Sequence, residues 1–114
     1  MHHDLIPADL FAQLVSNGLW SRLNDGFDPP PAVKLHLPGT PSVWLLRNAV
    51  PGALDLVFGV ADHGTGRPTI GHYRLTELRD AHGYLVACDP SFRTDRPFTV
   101  IVYEAAKAGR LIER

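Results

Sequence analysis

The sequence predicts an α+β fold, in which a four- or five-stranded, mainly antiparallel sheet carries an N-terminal and a C-terminal helix on one face. Three observations lead to this prediction. Apolar residues near both ends of the chain recur at helical spacing. Between the ends, apolar and polar residues alternate as they do in half-buried strands. The turns between these strands are short, so neighbouring strands should pair as an antiparallel meander.

The composition indicates one folded domain over residues 1–114. With 45% hydrophobic and 20% charged residues, the chain resembles an ordinary soluble domain and not a disordered one. Its net charge of -1 gives no general attraction to nucleic acid. A single cysteine, Cys88, excludes an internal disulfide and a cysteine-rich zinc site, and it fits the cytoplasm. We find no signal peptide and no apolar run that predicts a membrane span.

The first helix is predicted over residues 5–18. Pro7 suits the first turn, and the pair Asn17-Gly18 is typical of a helix C-terminus. The residues that form the apolar stripe are Leu10, Phe11, Leu14 and Val15. Residues 19–31 are predicted to form a loop, because this segment ends in three prolines that cannot be helical.

Period-two alternation then predicts four strands, with a shorter fifth strand after a helical turn that begins at Thr76 and ends at Gly83. The predicted strands cover residues 32–37, 42–48, 54–62, 69–75 and 84–88. The second strand is apolar on both faces in its middle, which indicates a central place in the sheet.

The last element is ambiguous over residues 98–103, where β-branched residues favour a strand. Asp95 as a cap, Pro97 in the first turn and Gly109 past the end all fit one helix over residues 96–108. We therefore predict a helix. Its buried stripe would consist of Phe98, Ile101, Val102 and Ala105.

The stretch "ADHGTGRPTIGH" at residues 61–72 concentrates glycine, histidine and aspartate. A register that pairs His63 with Ile70 satisfies the apolar pattern and leaves "GTGRPT" as the hairpin loop. Gly64, Gly66 and Gly71 are then turn residues. Asp62 is predicted to bond the loop's own backbone amides, as in an Asx-turn.

The same register makes His63 and His72 diagonal neighbours on one face of the sheet. With His36 as a third ligand they could bind a transition metal, which defines one alternative function, a metal-dependent enzyme. An exposed polar sheet face explains the histidines more simply, so we expect no metal, no cofactor and no catalytic residue. Cys88 beside Asp89 is predicted to be a structural thiol.

Two kinds of macromolecular partner are compatible with the sequence. Trp20, Phe27 and Trp44 could dock a protein, and an edge strand could pair with one. The second alternative is a nucleic acid, bound through a C-terminal basic cluster. That cluster consists of Arg93, Arg96, Lys107, Arg110 and Arg114. A protein partner is the favoured interpretation, and a membrane is not expected.

Three motifs in order resemble a bacterial family known as domain of unknown function DUF2958. They are "LIPADLFAQLVSNG", "VKLHLPGTPSVWLL" and "LVFGVADHGTGRPTIGHYRLTEL", and the resemblance runs from Leu5 to about Arg110. The third motif departs from the family pattern at His63, at Thr69-Ile70 and at His72. The resemblance implies an association with plasmids, integrative elements and phage-derived regions. It implies no activity for any residue of this chain.

Overall fold

A computed structural model describes residues 5–82 and 85–112 of the chain. Its elements are α1 (Ala8–Leu23), β1 (Val33–His36), β2 (Val43–Val50), β3 (Ala53–Asp62), β4 (Thr69–Arg74), α2 (Leu75–His82), β5 (Ala87–Cys88) and α3 (Phe98–Ala108). The predicted α+β class is confirmed. The predicted end of the short helix at Gly83 and the start of the fifth strand at residue 84 lie outside the described residues. Within those residues, no helix is long and apolar enough to cross a membrane.

The five strands form one antiparallel sheet in the order β4-β3-β2-β1-β5. The first four strands make the predicted meander, so each pairs with its neighbour in the chain. The fifth strand returns to the far edge, where Cys88 lies opposite Leu35 of β1. β2 is therefore the central strand, as its continuous apolar run predicts.

The two terminal helices lie on opposite faces of the sheet, and the expectation that they share one face is wrong. Leu14 of α1 packs with Trp44 and Leu46, whereas Leu45 packs on the other side with residues of α3. Successive residues of a strand point to opposite faces, so three apolar residues in a row require cover on both sides. The stripe predicted for the last helix is confirmed, with Phe98, Ile101 and Ala105 buried and Val102 packed against them.

The first helix does not stop at Asn17-Gly18 but continues to Leu23. Gly18 instead allows the backbones of α1 and β2 to approach, because a Cβ there would lie 2.0 Å from the carbonyl oxygen of Ala49. Beside it, the Asn17 side-chain amide donates a hydrogen bond of 2.8 Å to the carbonyl of Arg47. Arg47 is the extra residue of a β-bulge between Leu46 and Asn48. Asn17 and Gly18 therefore lie at the contact between α1 and β2.

The start of α3 is held by a segment far away in sequence. The backbone N–H of Phe98 donates to the carbonyl of Pro29 at 3.1 Å. The N–H of Thr99 donates to Asp28 Oδ1 at 3.1 Å, and the Thr99 hydroxyl donates to Asp28 Oδ2. Asp28 therefore acts as the N-terminal cap that we expected of Asp95. The proline run is fixed in place by the same contacts.

Substituting Gly18 tests the close approach of α1 to β2. We expect Gly18→Ala to destabilise the fold by about 1–3 kcal/mol, because the new methyl group must push the helix away from Ala49. Helix propensity alone would favour alanine by about 1 kcal/mol. Urea unfolding of both proteins measures the difference.

Gly26→Ala is the matched control for this substitution. A Cβ at Gly26 would meet only the Asn24 side chain, at an ordinary 3.5 Å. A Gly18→Ala protein as stable as the wild type or the Gly26→Ala control would contradict the proposed role of Gly18.

Candidate functional site

The glycine-rich loop between β3 and β4 is organised by the carboxylate of Asp62, which is 8% exposed. Its Oδ1 accepts a hydrogen bond of 2.8 Å from the N–H of Gly64, which closes an Asx-turn of the kind that the sequence indicates. Its Oδ2 accepts a second bond of 2.9 Å from the N–H of Leu111, beyond the end of α3. Nothing in the sequence pattern points to this second bond, because it joins residues 49 positions apart.

The glycines of the loop have two different roles. Gly64 and Gly66 adopt positive φ values of 76° and 86°, which suit glycine. Gly64 also packs closely on the turn before β2, since a Cβ there would lie 2.7 Å from the Pro41 ring. Gly71 is not a turn residue, because it lies within β4 opposite Gly59. The loop therefore touches the β1–β2 turn and, through Asp62, the segment after α3.

The register of β3 with β4 differs from the predicted one. Ile70 pairs with Val60 and His72 pairs with Phe58, so His63 lies beyond the end of β3. Our prediction assumed that β3 buries a single face. In fact Val57 packs toward α1 and Val60 toward α3, so the apolar pattern does not select one register.

The three candidate metal ligands are not brought together. His63 Nδ1 lies 2.9 Å from the Ser42 hydroxyl, and its ring meets the Trp44 ring edge-on at 5.5 Å. The His72 ring lies 5.1 Å from that of Phe58, and His36 belongs to β1, opposite Val43. Over residues 5–82 and 85–112, no three His, Cys, Asp or Glu side chains form a group that could hold a metal. This geometry gives a histidine-based metal centre no support.

Trp44, one of the three candidate docking residues, belongs to the core. It is 2% exposed and packs on the α1 face of the sheet. Its place is explained by β2, the central strand, whose residues are covered on both sides. A partner cannot reach Trp44 without unfolding the protein, so the structure removes it from the docking set.

The other two candidate aromatic residues, Trp20 and Phe27, line one groove. The groove is lined by the face of α1 from Asp9 to Trp20, by the segment from Phe27 through the prolines 29–31 to Ala32, and by residues 92–94, which include Arg93. Its cavity volume is about 660 Å³. We call it the α1–proline groove. A groove of this size is common at binding sites, and so are exposed aromatic residues.

Apolar side chains are exposed along the last turns of α1, next to this groove. Leu19, Trp20 and Leu23 are 51%, 56% and 78% exposed. We call these three residues the α1 patch. Because exposed apolar surface costs free energy in water, contiguous patches on monomeric proteins often mark sites of interaction.

Three cations of the C-terminal basic cluster interact with groups of their own chain. Arg93 donates to the carbonyls of Pro90 and Phe92, and Arg96 forms an ion pair with Glu104. The Lys107 ammonium lies 5.3 Å from the centre of the Tyr103 ring. Arg110 is exposed, and Arg114 lies outside the described residues. Among the described cations of the cluster, Arg93, Lys107 and Arg110 are exposed, whereas Arg96 is partly buried beside Glu104.

Cys88 in β5 is half-buried. Burial raises the pKa of its thiol, and the carboxylates of Asp89 and Asp9 raise it further. Hydrogen bonds from the Ser91 hydroxyl and N–H lower the pKa of Asp89, which therefore stays ionised at neutral pH. A protonated thiol is a weak nucleophile, so this environment suits a structural cysteine.

Comparison with known proteins identifies a family but no characterised relative. The model of a family described as "Protein of unknown function (DUF2958)" matches residues 5–112, nearly the whole chain. Curated proteins and solved structures gave no significant match. The family match agrees with the resemblance that the three sequence motifs carry.

Removing the Asp62 carboxylate tests its bridging role. We expect Asp62→Ala to lower the stability by roughly 3 kcal/mol, because two backbone N–H groups lose a charged acceptor. Thermal unfolding measures the loss, and faster hydrogen exchange of the Leu111 amide locates it. The exposed Asp25→Ala serves as control. An unchanged melting temperature would remove the structural role of Asp62.

The reactivity of Cys88 tests its surroundings. Because its pKa lies above the ordinary value of 9.0, we expect slow alkylation by iodoacetamide at neutral pH and a pH–rate profile whose midpoint lies above that value. Asp89→Asn should shift the pH profile to lower pH, since it removes a negative charge beside the thiol. The distant Asp25→Asn should leave the profile unchanged. A midpoint below 9.0 in the wild type is the opposite result.

Proposed function

The chain belongs to the DUF2958 family, and we propose that it is a small cytoplasmic interaction module of a mobile genetic element. In this proposal it has no catalytic activity of its own and acts by binding another protein. The α1–proline groove is the observation that carries the proposal. The association with plasmids, integrative elements and phage-derived regions, which the sequence resemblance implies, supports the mobile-element setting. The single cysteine is compatible with the cytoplasm.

The groove has the composition of a recognition site. It combines an exposed Trp20, a half-buried Phe27 and a wall of prolines, with polar side chains of α1 along its length. Tryptophan and tyrosine dominate binding energy at protein interfaces because they bury large surfaces at a small entropic cost. The Trp20 side chain is 56% exposed, so more than half of its surface is open to a partner. In our proposal a bound partner covers this exposed ring.

The alternative functions have weaker support. A metal-dependent enzyme would need His36, His63 and His72 to converge, and these residues have separate neighbours. A nucleic-acid-binding protein would be favoured by a basic surface, whereas the net charge is -1 and Arg96 of the basic cluster is paired with Glu104. Pairing of a partner with an edge strand is compatible with β4, but β4 offers no pocket among the described cavities that would select a partner.

Affinity capture from the native host tests the interaction through this groove. The tagged wild-type protein should retain a partner that Trp20→Ala and Phe27→Ala lose by about tenfold or more, because hot-spot aromatic residues contribute strongly to affinity. Quantitative mass spectrometry of the captured proteins measures the effect. The melting temperature of each variant shows that it remains folded.

Tyr103→Ala is the matched control, since Tyr103 is also an exposed aromatic residue, 64% exposed, but lies on α3, on the other face of the sheet. It should retain the same partner. A partner that Trp20→Ala and Phe27→Ala retain in full would refute binding through the groove.

A further inference from the structure

We infer that the α1–proline groove binds a proline-rich segment of the partner protein in the polyproline II conformation. This inference rests on the proposed interaction function and names the chemistry of its ligand. It follows from the size of the exposed surface, the length of the groove, the groups that line it and the rigidity of its walls.

The α1 patch exposes less apolar surface than each subunit of a stable dimer would bury. The three side chains of the α1 patch together expose on the order of 300–400 Å² of surface to solvent. A stable protein–protein interface buries about 800 Å² on each partner, of which about 450 Å² is apolar. A short segment needs less area than a folded domain, so the patch and groove fit a linear peptide better than a second copy.

The length of the groove suits a few residues of extended chain. Its α1 wall runs from Asp9 to Trp20, which corresponds to about 16 Å at the rise of an α-helix. A polyproline II helix rises about 3.1 Å per residue, so roughly five residues would span this wall. The volume of about 660 Å³ accommodates a segment of that size.

The lining groups favour a ligand rich in proline. Trp20 and Phe27 both contribute aromatic rings to the lining, and pyrrolidine rings pack well on aromatic rings. The opposite wall, at prolines 29–31, has no backbone N–H to offer a ligand. Side-chain donors come from α1, namely the Trp20 indole, the Ser16 hydroxyl and the Gln13 amide, and from Arg93 and Thr94 in the segment before α3. A polyproline II segment exposes carbonyl acceptors and few donors, which complements this arrangement.

The groove is formed before a ligand arrives. On the proline side, Pro29 accepts a hydrogen bond from α3, and Asp28 caps that helix. On the other side, Asn17 and Gly18 fix α1 on the central strand. Polyproline II is itself largely formed in the free ligand, so association of the two orders little additional chain.

An oligoproline peptide is the probe that tests this inference. The protein has two tryptophans, Trp20 in the groove and Trp44 in the core. Titration of the ¹⁵N-labelled protein should therefore shift the indole N–H signal of Trp20 in a saturable way and leave that of Trp44 in place. Trp20→Phe assigns the two signals. A glycine–serine peptide of equal length is the ligand control and should cause no saturable shift.

The variants decide what an observed shift means. Phe27→Ala should weaken oligoproline binding by about tenfold, and Tyr103→Ala should not affect it. No saturable shift at millimolar peptide, or an equal response to the glycine–serine peptide, overturns the inference. So does a dimer of the wild type that dissociates on Trp20→Ala, because the groove would then belong to a second copy.

The capture experiment separates this inference from the proposed function. Loss of a host partner on Trp20→Ala, together with no oligoproline binding, leaves the interaction function standing and removes the proline-rich ligand. Failure of both experiments removes both proposals. Saturable oligoproline binding through Trp20 and Phe27 supports the ligand class without reference to any particular partner.

Discussion

One buried carboxylate connects three parts of this fold. Asp62 ends the strand β3, turns the glycine-rich loop through Gly64 and fastens the chain beyond α3 at Leu111. The two hydrogen bonds involve a charged acceptor in a nearly closed environment, where each is stronger than a neutral bond in water. The backbones of the loop and of the end of α3 also lie close together, since a Cβ at Gly109 would lie 3.2 Å from the carbonyl oxygen of Gly66. Asp62, which belongs to the third family motif, therefore has an architectural role.

Hydrophobic periodicity predicted much of the fold. The strand limits, the meander and the final helix follow from alternation and helical spacing, which record burial directly. The sequence could not reveal which face each helix covers, because Trp44, Leu45 and Leu46 are apolar in succession and fit either side. The predicted register of β3 with β4 was wrong for the same reason, because apolar residues of β3 are buried on both faces. The pair Asn17-Gly18 was misread because a glycine that ends a helix and one that admits a neighbouring backbone look alike in sequence.

The candidate site was predictable only in part. Trp20 and Phe27 stand out as large aromatic residues in a segment rich in turns and prolines, but their common groove depends on contacts between distant residues. The cap that Asp28 places on α3 joins positions 71 apart, and no local pattern signals it. Trp44 has the same residue type as Trp20 and the opposite environment. The sequence identifies residue types that are able to bind a partner. The fold determines which of these residues are accessible to it.

The burial of both faces of the sheet also has a consequence for synthesis of the chain on the ribosome. The meander and α1 precede α3 in the chain. Leu45 and Val60 therefore stay exposed to water until α3 has been synthesised and packs on them. Such a half-covered sheet is prone to aggregate. The growing chain therefore exposes this apolar face of the sheet until α3 docks. A chain truncated before residue 98 would leave the face uncovered.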